Sequence, residues 1–354
     1  MKIIQRLYLK DFFRLLMLIS LGLSFIFSLI DLIGQMDSFV AAKASFWSLA
    51  LYALFSMPRF LLYLLPMSVL ICSLFTFTQA FRRHEMSAIK AAGGKLKTLF
   101  FPFVATGLLL SIFAFITSEV VVPEFTTKAS DLEHALEGKK KKTVFTNGVI
   151  WLKGNDGSPV KIDLYAEEKK TAQGISIFIS GENFLKEQIS AREAFWNGRI
   201  WVLNDVRIYH VDTGEIEKLK RMEYSGLESP DLFTNELKTP DEMGIYELYR
   251  YIQRLKSAGF SNLKLLVDLN SKLSFPLINV FMMLLGIALS SRGKKGGGLF
   301  TAGLGLLISL FYWLGFTFFL SIGYAGIIHP VLAAWAIPFL FGSLSVYLFA
   351  TMPE

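Results

Sequence analysis

The sequence predicts a membrane α-helical bundle of six transmembrane helices, interrupted by one inserted antiparallel β-jellyroll or sandwich domain outside the bilayer. Three observations predict it. Six apolar runs of roughly 20 residues each have the length a helix needs to cross about 30 Å of hydrocarbon. A polar stretch from about Pro123 to Asn262 separates three of these runs from the other three. Within that stretch the apolar period changes to two, the alternation of strands.

The bulk composition narrows the function classes. The chain has 354 residues and is 53% hydrophobic, with a mean hydropathy of +0.47. A soluble protein of this composition would leave too much apolar surface in water. The net charge of +7 gathers at the ends of the apolar runs, where bases set topology, so no nucleic-acid partner is expected. Cys72 is the single cysteine and falls inside an apolar run, which excludes an internal disulfide and a thiolate cluster. His84, His134, His210 and His329 are scattered, so no metal site is expected.

The first span runs from about Phe13 to Met36. Lys2, Arg6, Lys10 and Arg14 precede it and place the N-terminus in the cytoplasm. This start resembles a signal-peptide n-region, but the apolar run is too long and lacks a small-residue cleavage site. It reads as a retained span. Asp31, near its far end, is expected to be hydrated at the interface rather than to face a polar cavity.

Residues 46–80 are too long an apolar stretch for one perpendicular crossing. Pro58 and Arg59 are expected to divide it into an interfacial helix (46–57) and span two (60–80). Arg59 then sits at the outer boundary, either snorkelling or touching an anionic head group. Residues 79–100 carry Arg82, Arg83, Lys90, Lys95 and Lys97 and are read as cytoplasmic. Met86, Ile89 and neighbouring alanines make a short amphipathic helix within about 81–94, Glu85 is its lone acid, and Gly93-Gly94 stops it. A positive-inside loop is the plain reading of this segment; docking into a partner's groove is the sharper one.

Span three covers about Leu99 to Val122 and closes the first membrane segment, 1–122. The insert, 123–262, begins with a polar stretch ending in Lys139–Lys142. Alternation follows in Val160–Tyr165, Ile175–Ser180, Ile200–Leu203 and Val206–Tyr209. Turn signals at Gly154–Gly157, Asn197-Gly198 and Asp212–Gly214 separate these runs. Some strands are apolar on both faces. One face is expected to pack the core, and Phe178, Trp201, Leu203 and Tyr209 to offer a greasy path for a lipid. Residues 240–259 form a capped surface helix, with Asp241 and Glu242 at its start.

The second membrane segment, 263–354, holds span four (about Leu265–Ser290, interrupted at Pro276), span five (Leu299–Ile322) and span six (Val331–Ala350). Every short loop agrees with cytoplasmic termini and an insert outside. Arg292–Gly298 lacks the spacing and the preceding strand of a phosphate loop. Gly298, Ala302 and Gly305 allow close helix packing instead. Ser271 and Lys272 are adjacent on a helix and point about 100° apart, which argues against a catalytic dyad. With no catalytic residues and no paired acids deep in a span, any energy must come from another subunit.

This arrangement resembles the LptF/LptG (YjgP/YjgQ) permease family of the lipopolysaccharide-export ABC transporter. The resemblance covers essentially the whole chain. It is carried by Arg83–Gly94 (RHEMSAIKAAGG), by Ser56–Arg59 with Leu65-Pro66, and by Leu255–Pro276. The last stretch, with Gly148–Gly154 (GVIWLKG), is closer to LptG. The resemblance implies a second permease of the same type, and two copies of a cytoplasmic LptB-like ATPase that bind ATP and magnesium. It further implies a periplasmic LptC/LptA-like bridge protein, with lipopolysaccharide as cargo. Residues 81–94 would be the coupling helix, contacting the ATPase through Arg82, Arg83, Glu85, Met86 and Ile89. Spans one and five would form a lateral gate. The family's lysines near the outer end of span one are replaced here by Asp31 and Asp37. Lys43 and Arg59 are therefore candidates for the lipid's phosphates, and a divalent cation bridging the two aspartates is a weaker option. The alternative is a non-transporting membrane anchor whose outer domain scaffolds or senses partners.

Overall fold

A computed structural model describes residues 2–41, 44–136, 143–146, 149–154, 157–166, 170–180, 185–227, 230, 239–257, 262–292 and 298–352. The chain divides into two compact units, Met1–Leu132 with Leu263–Glu354, and Glu133–Asn262. Among the described residues the first is built of helices, and the second holds a β-sheet and the helix Ile245–Ser257.

In the helical unit α1 (Lys2–Gly34), α2 (Met36–Ala41), α3 (Phe46–Arg82), α4 (Glu85–Ala91) and α5 (Leu96–Ile116) come first. A π-helical turn (Thr117–Val121) then joins α5 to α6 (Val122–Leu136). After the sheet unit come α8 (Leu263–Ser274), α9 (Ile278–Arg292), α10 (Gly298–Tyr324) and α11 (Pro330–Ala350). Among the described residues six helical segments are long and apolar enough to cross a membrane: Ile3–Gly34, Phe46–Arg82, Leu96–Glu133, Leu263–Arg292, Phe300–Tyr324 and Pro330–Ala350.

The expected break at Pro58 does not occur. α3 is one helix of 37 residues with Pro58 and Pro66 inside it. Each proline removes one backbone hydrogen bond, but in hydrocarbon every non-helical alternative would leave many backbone groups unsatisfied. At 1.5 Å per residue α3 is about 55 Å long, well beyond the hydrocarbon thickness, so it also supplies polar ends. Pro276 acts differently. It sits in a single 3-10 turn, Phe275–Leu277, between α8 and α9. Span three also runs on past its expected end, because α6 carries the helix to Leu136.

The bundle core forms around α3 and α9. Cys72, Val69, Leu70, Phe77, Met282, Met283 and Ile287 are wholly buried there. Small residues bring the helices together: a Cβ on Gly286 would run into Ser73, and one on Gly305 would meet Ile71 at 3.1 Å. α1 joins by a narrow seam repeating every four residues, with Tyr8, Phe12, Leu16, Ser20, Ser24 and Ser28 buried. Its remaining apolar surface is open. The apolar windows of spans one and five are only 22% buried, against 61% and 67% for spans two and four.

In the sheet unit seven strands pair antiparallel in chain order: β1 (Thr143–Thr146), β2 (Val149–Lys153), β3 (Pro159–Ala166), β4 (Thr171–Ser180), β5 (Leu185–Trp196), β6 (Trp201–His210) and β7 (Ile216–Tyr224). Among the described strands the order is a meander, each strand beside its sequence neighbours. Two apolar ladders cross one face. The first is Ile150–Ile162–Ile175–Ala191–Val206 and the second Leu152–Val160–Ile177–Ile189–Ile208, all buried. Asn197 closes the β5–β6 turn by accepting from the Arg199 and Ile200 N–H groups, and Gly198 takes φ +97°. Helix α7 (Ile245–Ser257) buries Leu248, Ile252 and Leu255. It lies against β3, where the Tyr251 hydroxyl donates to the Tyr165 carbonyl at 3.3 Å.

Candidate functional site

The α3–α4 junction makes a sharp turn. Arg83 caps α3, and His84 adopts a left-handed conformation (φ +58°) before α4 begins at Glu85. At the far end the Gly94 N–H donates to the Ile89 carbonyl and the Gly93 N–H to the Lys90 carbonyl, both at 2.9 Å. This is a Schellman cap, with Gly93 at φ +78° as the motif requires. The seven-residue helix is thereby fixed at both ends.

The coupling candidates do not all face outward. Arg82 and Arg83 are exposed, and Glu85 and Ile89 are half-buried. Met86 is 1% exposed and belongs to the bundle's own core. It anchors α4 to this chain, so it is not free to contact a partner. Glu85 accepts a hydrogen bond from the Tyr8 hydroxyl of α1. A second tie at the same end runs from the Gln5 amide to the Thr98 carbonyl, 2.9 Å. Tyr8 was not singled out in the sequence; its membership of the four-residue seam on α1 is the signal that could have found it.

At the other end of α1, Asp31 is neither simply hydrated nor facing a cavity. Its Oδ1 pairs with Arg59 Nη2 at 3.4 Å, and its Oδ2 accepts from the Tyr52 hydroxyl at 3.1 Å. The two charged side chains retain 24% and 28% of their exposure. Arg59 also lies over the Phe60 ring, 4.9 Å from its centroid. Asp31 and Arg59 are thus brought together, and each answers the other's charge. Asp37 is exposed on α2, and Lys43 lies outside the described residues. Among the described residues no three metal-type ligands gather.

The register pairs Phe178 with Gln188 and Gln188 with Tyr209, and it sets Leu203 beside Ala194 and Trp201 beside Trp196. Of the four lipid-path candidates, Phe178 and Tyr209 therefore share a row of the sheet, and Leu203 and Trp201 fall in separate rows. They differ in burial. Trp201 and Leu203 are wholly buried, beside Tyr165, Ala172 and Ala194, so they are core. Phe178 is half-buried, and Tyr209 is 42% exposed. Trp151 stacks on Phe178 with centroids 6.0 Å apart, which extends the open aromatic patch.

The other tempting groups resolve into local structure. The Ser271 hydroxyl donates to the Asp268 carbonyl on its own helix at 3.1 Å. Arg292 reaches the Thr351 hydroxyl at 2.7 Å, joining the ends of α9 and α11.

Six apolar helices interrupted by an antiparallel β unit fit a multi-pass membrane protein. The family model described as "Lipopolysaccharide export system permease LptF/LptG" matches residues 6–351. The chain belongs to that family, a non-catalytic permease component of the lipopolysaccharide-export system in the inner membrane. The model spans both LptF and LptG and does not separate them. The search of curated proteins found no match.

Proposed function

We propose that this chain is the permease subunit of an ABC transporter that extracts lipopolysaccharide from the inner membrane and passes it to a periplasmic bridge. Its partners would be a second permease of the LptF/LptG type, two cytoplasmic LptB-like ATPases that hold the ATP and magnesium, and an LptC/LptA-like bridge protein. The observation that carries the reading is the family match over nearly the whole chain. The open apolar faces of spans one and five support it, since a lateral gate needs helix surface left uncovered by the rest of its own subunit.

In this reading α4 lies in the cytoplasm and receives the ATPase's stroke. Arg82, Arg83 and the outer side of Ile89 meet the ATPase, and Glu85 transmits movement to α1 through Tyr8. The β unit lies in the periplasm. Its apolar ladders and the Trp151–Phe178 patch are the surfaces that suit acyl chains. An LptG-type role rests on the resemblance of Gly148–Gly154 and Leu255–Pro276.

The test is affinity purification of the tagged chain in mild detergent, followed by native mass determination. A complex with a second permease and an ATPase pair is expected. A lone chain or homodimer at every detergent strength would overturn the reading.

A further inference from the structure

A groove of about 290 Å³ opens where α1, α3 and α4 meet. Its polar end carries Asp11, Arg14 and Arg83, and the Tyr8–Glu85 pair forms one wall. Thr76 and Gln79 of α3 line its middle. Leu15, Leu18 and Phe75 line the end that runs toward the membrane interior. The order is set by the sequence. On α1 the long apolar run starts directly after Arg14, and on α3 it ends directly before Arg82-Arg83. Both guanidinium groups therefore sit at one bilayer boundary.

The lining holds two acids, Asp11 and Glu85, beside the two arginines, and Glu85 accepts a hydrogen bond from the Tyr8 hydroxyl. Among the described residues neither Arg14 nor Arg83 has an ion-pair partner within 4.0 Å. Two arginines on different helices around a cleft suit a phosphate oxyanion, which guanidinium binds by paired, charge-assisted hydrogen bonds. Thr76 and Gln79 place donors one to two helical turns deeper, at the level of ester carbonyls. Beyond them the lining is apolar. The volume is at the small end for a ligand pocket; it holds a head group and glycerol but not the chains, which would leave past Leu18 into the bilayer.

We propose that this groove is a binding site for the phosphate head group of a glycerophospholipid, seated between α1 and α3 next to α4. The proposal needs only that α1 and α3 cross a bilayer. It shares Arg83 with the ATPase contact of the transport reading, so lipid retention is measured on the purified chain alone, without the ATPase and without any export.

The experiment is native mass spectrometry of the purified full-length chain, titrated with phosphatidylglycerol, phosphatidylethanolamine and, lacking phosphate, diacylglycerol. One phospholipid of either kind is expected to stay bound where diacylglycerol does not. Arg14→Gln should weaken retention about tenfold, the worth of one charge-assisted hydrogen bond. Thr76→Phe, which fills the groove, should abolish it. Lys10→Gln, on α1 but outside the groove, should leave it unchanged. Equal retention of diacylglycerol would overturn the proposal. So would equal losses from Lys10→Gln and Arg14→Gln, which would mean general attraction to basic residues. Displacement of the lipid by a stoichiometric protein partner would assign the groove to that partner instead.

Discussion

The Tyr8 hydroxyl and the Glu85 carboxylate are hydrogen-bonded across 77 residues of sequence, which ties the start of α1 to the first turn of α4. α1 is otherwise held chiefly by its seam on α3. A displacement of α4 thus has a direct polar route to one of the two most open spans of the bundle. Tyr8→Phe keeps the ring that packs 6.4 Å from Phe77 and removes only the hydroxyl. In a reconstituted transporter it should lower lipid released per ATP hydrolysed several-fold while leaving assembly intact. Glu85→Ala should lower it further. Unchanged stoichiometry in both would show that the link carries no motion.

The Asp31–Arg59 pair is testable by a double-mutant cycle. Because both side chains keep about a quarter of their exposure, the pair is worth only about 1 kcal/mol. Arg59→Gln alone leaves a half-buried carboxylate held by Tyr52 and should lower the thermal midpoint in detergent. Adding Asp31→Asn should recover part of the loss. If the two losses simply add, the pair is not coupled.

Helix approach at Gly286 should be intolerant of bulk. Gly286→Leu must displace Ser73 and the nearby Leu70 carbonyl, at a cost of about 1–3 kcal/mol for overpacking. Gly303→Leu is the control, since a Cβ there meets nothing within 4 Å. Thermal unfolding of both variants should separate them clearly.

On the sheet, burial divides structural from surface side chains. Ile177→Ala removes a central member of a ladder and should destabilise the unit by about 2–5 kcal/mol. Tyr209→Ala should leave stability within about 0.5 kcal/mol. A photo-crosslinker at Tyr209 should label bound lipopolysaccharide if the exposed patch lies on the lipid's path, and not if the path keeps to the ladders.

The spans and the strand unit were legible because hydrophobic length and period are local properties. What escaped depends on register between distant helices. That Asp31 meets Arg59 follows from how α1 slides along α3, which no local pattern encodes. Met86 looked like a docking residue because a short amphipathic helix does not announce which body its apolar side packs on. Pro58 suggested a break because proline breaks helices in water, where a freed carbonyl finds a new partner. β5 was missed because Glu187, Gln188, Arg192 and Glu193 dilute its alternation.

The meander order of the sheet has a consequence for biogenesis. Each strand finds its partner in the segment made immediately before it, so every pairing is a hairpin and closes a short loop. The β unit can grow strand by strand as the chain emerges, none of the described strands waiting for a distant mate. By the time α8 is delivered to the bilayer, the segment ahead of it can already be folded. The last three spans can then join the first three with the described strands already paired.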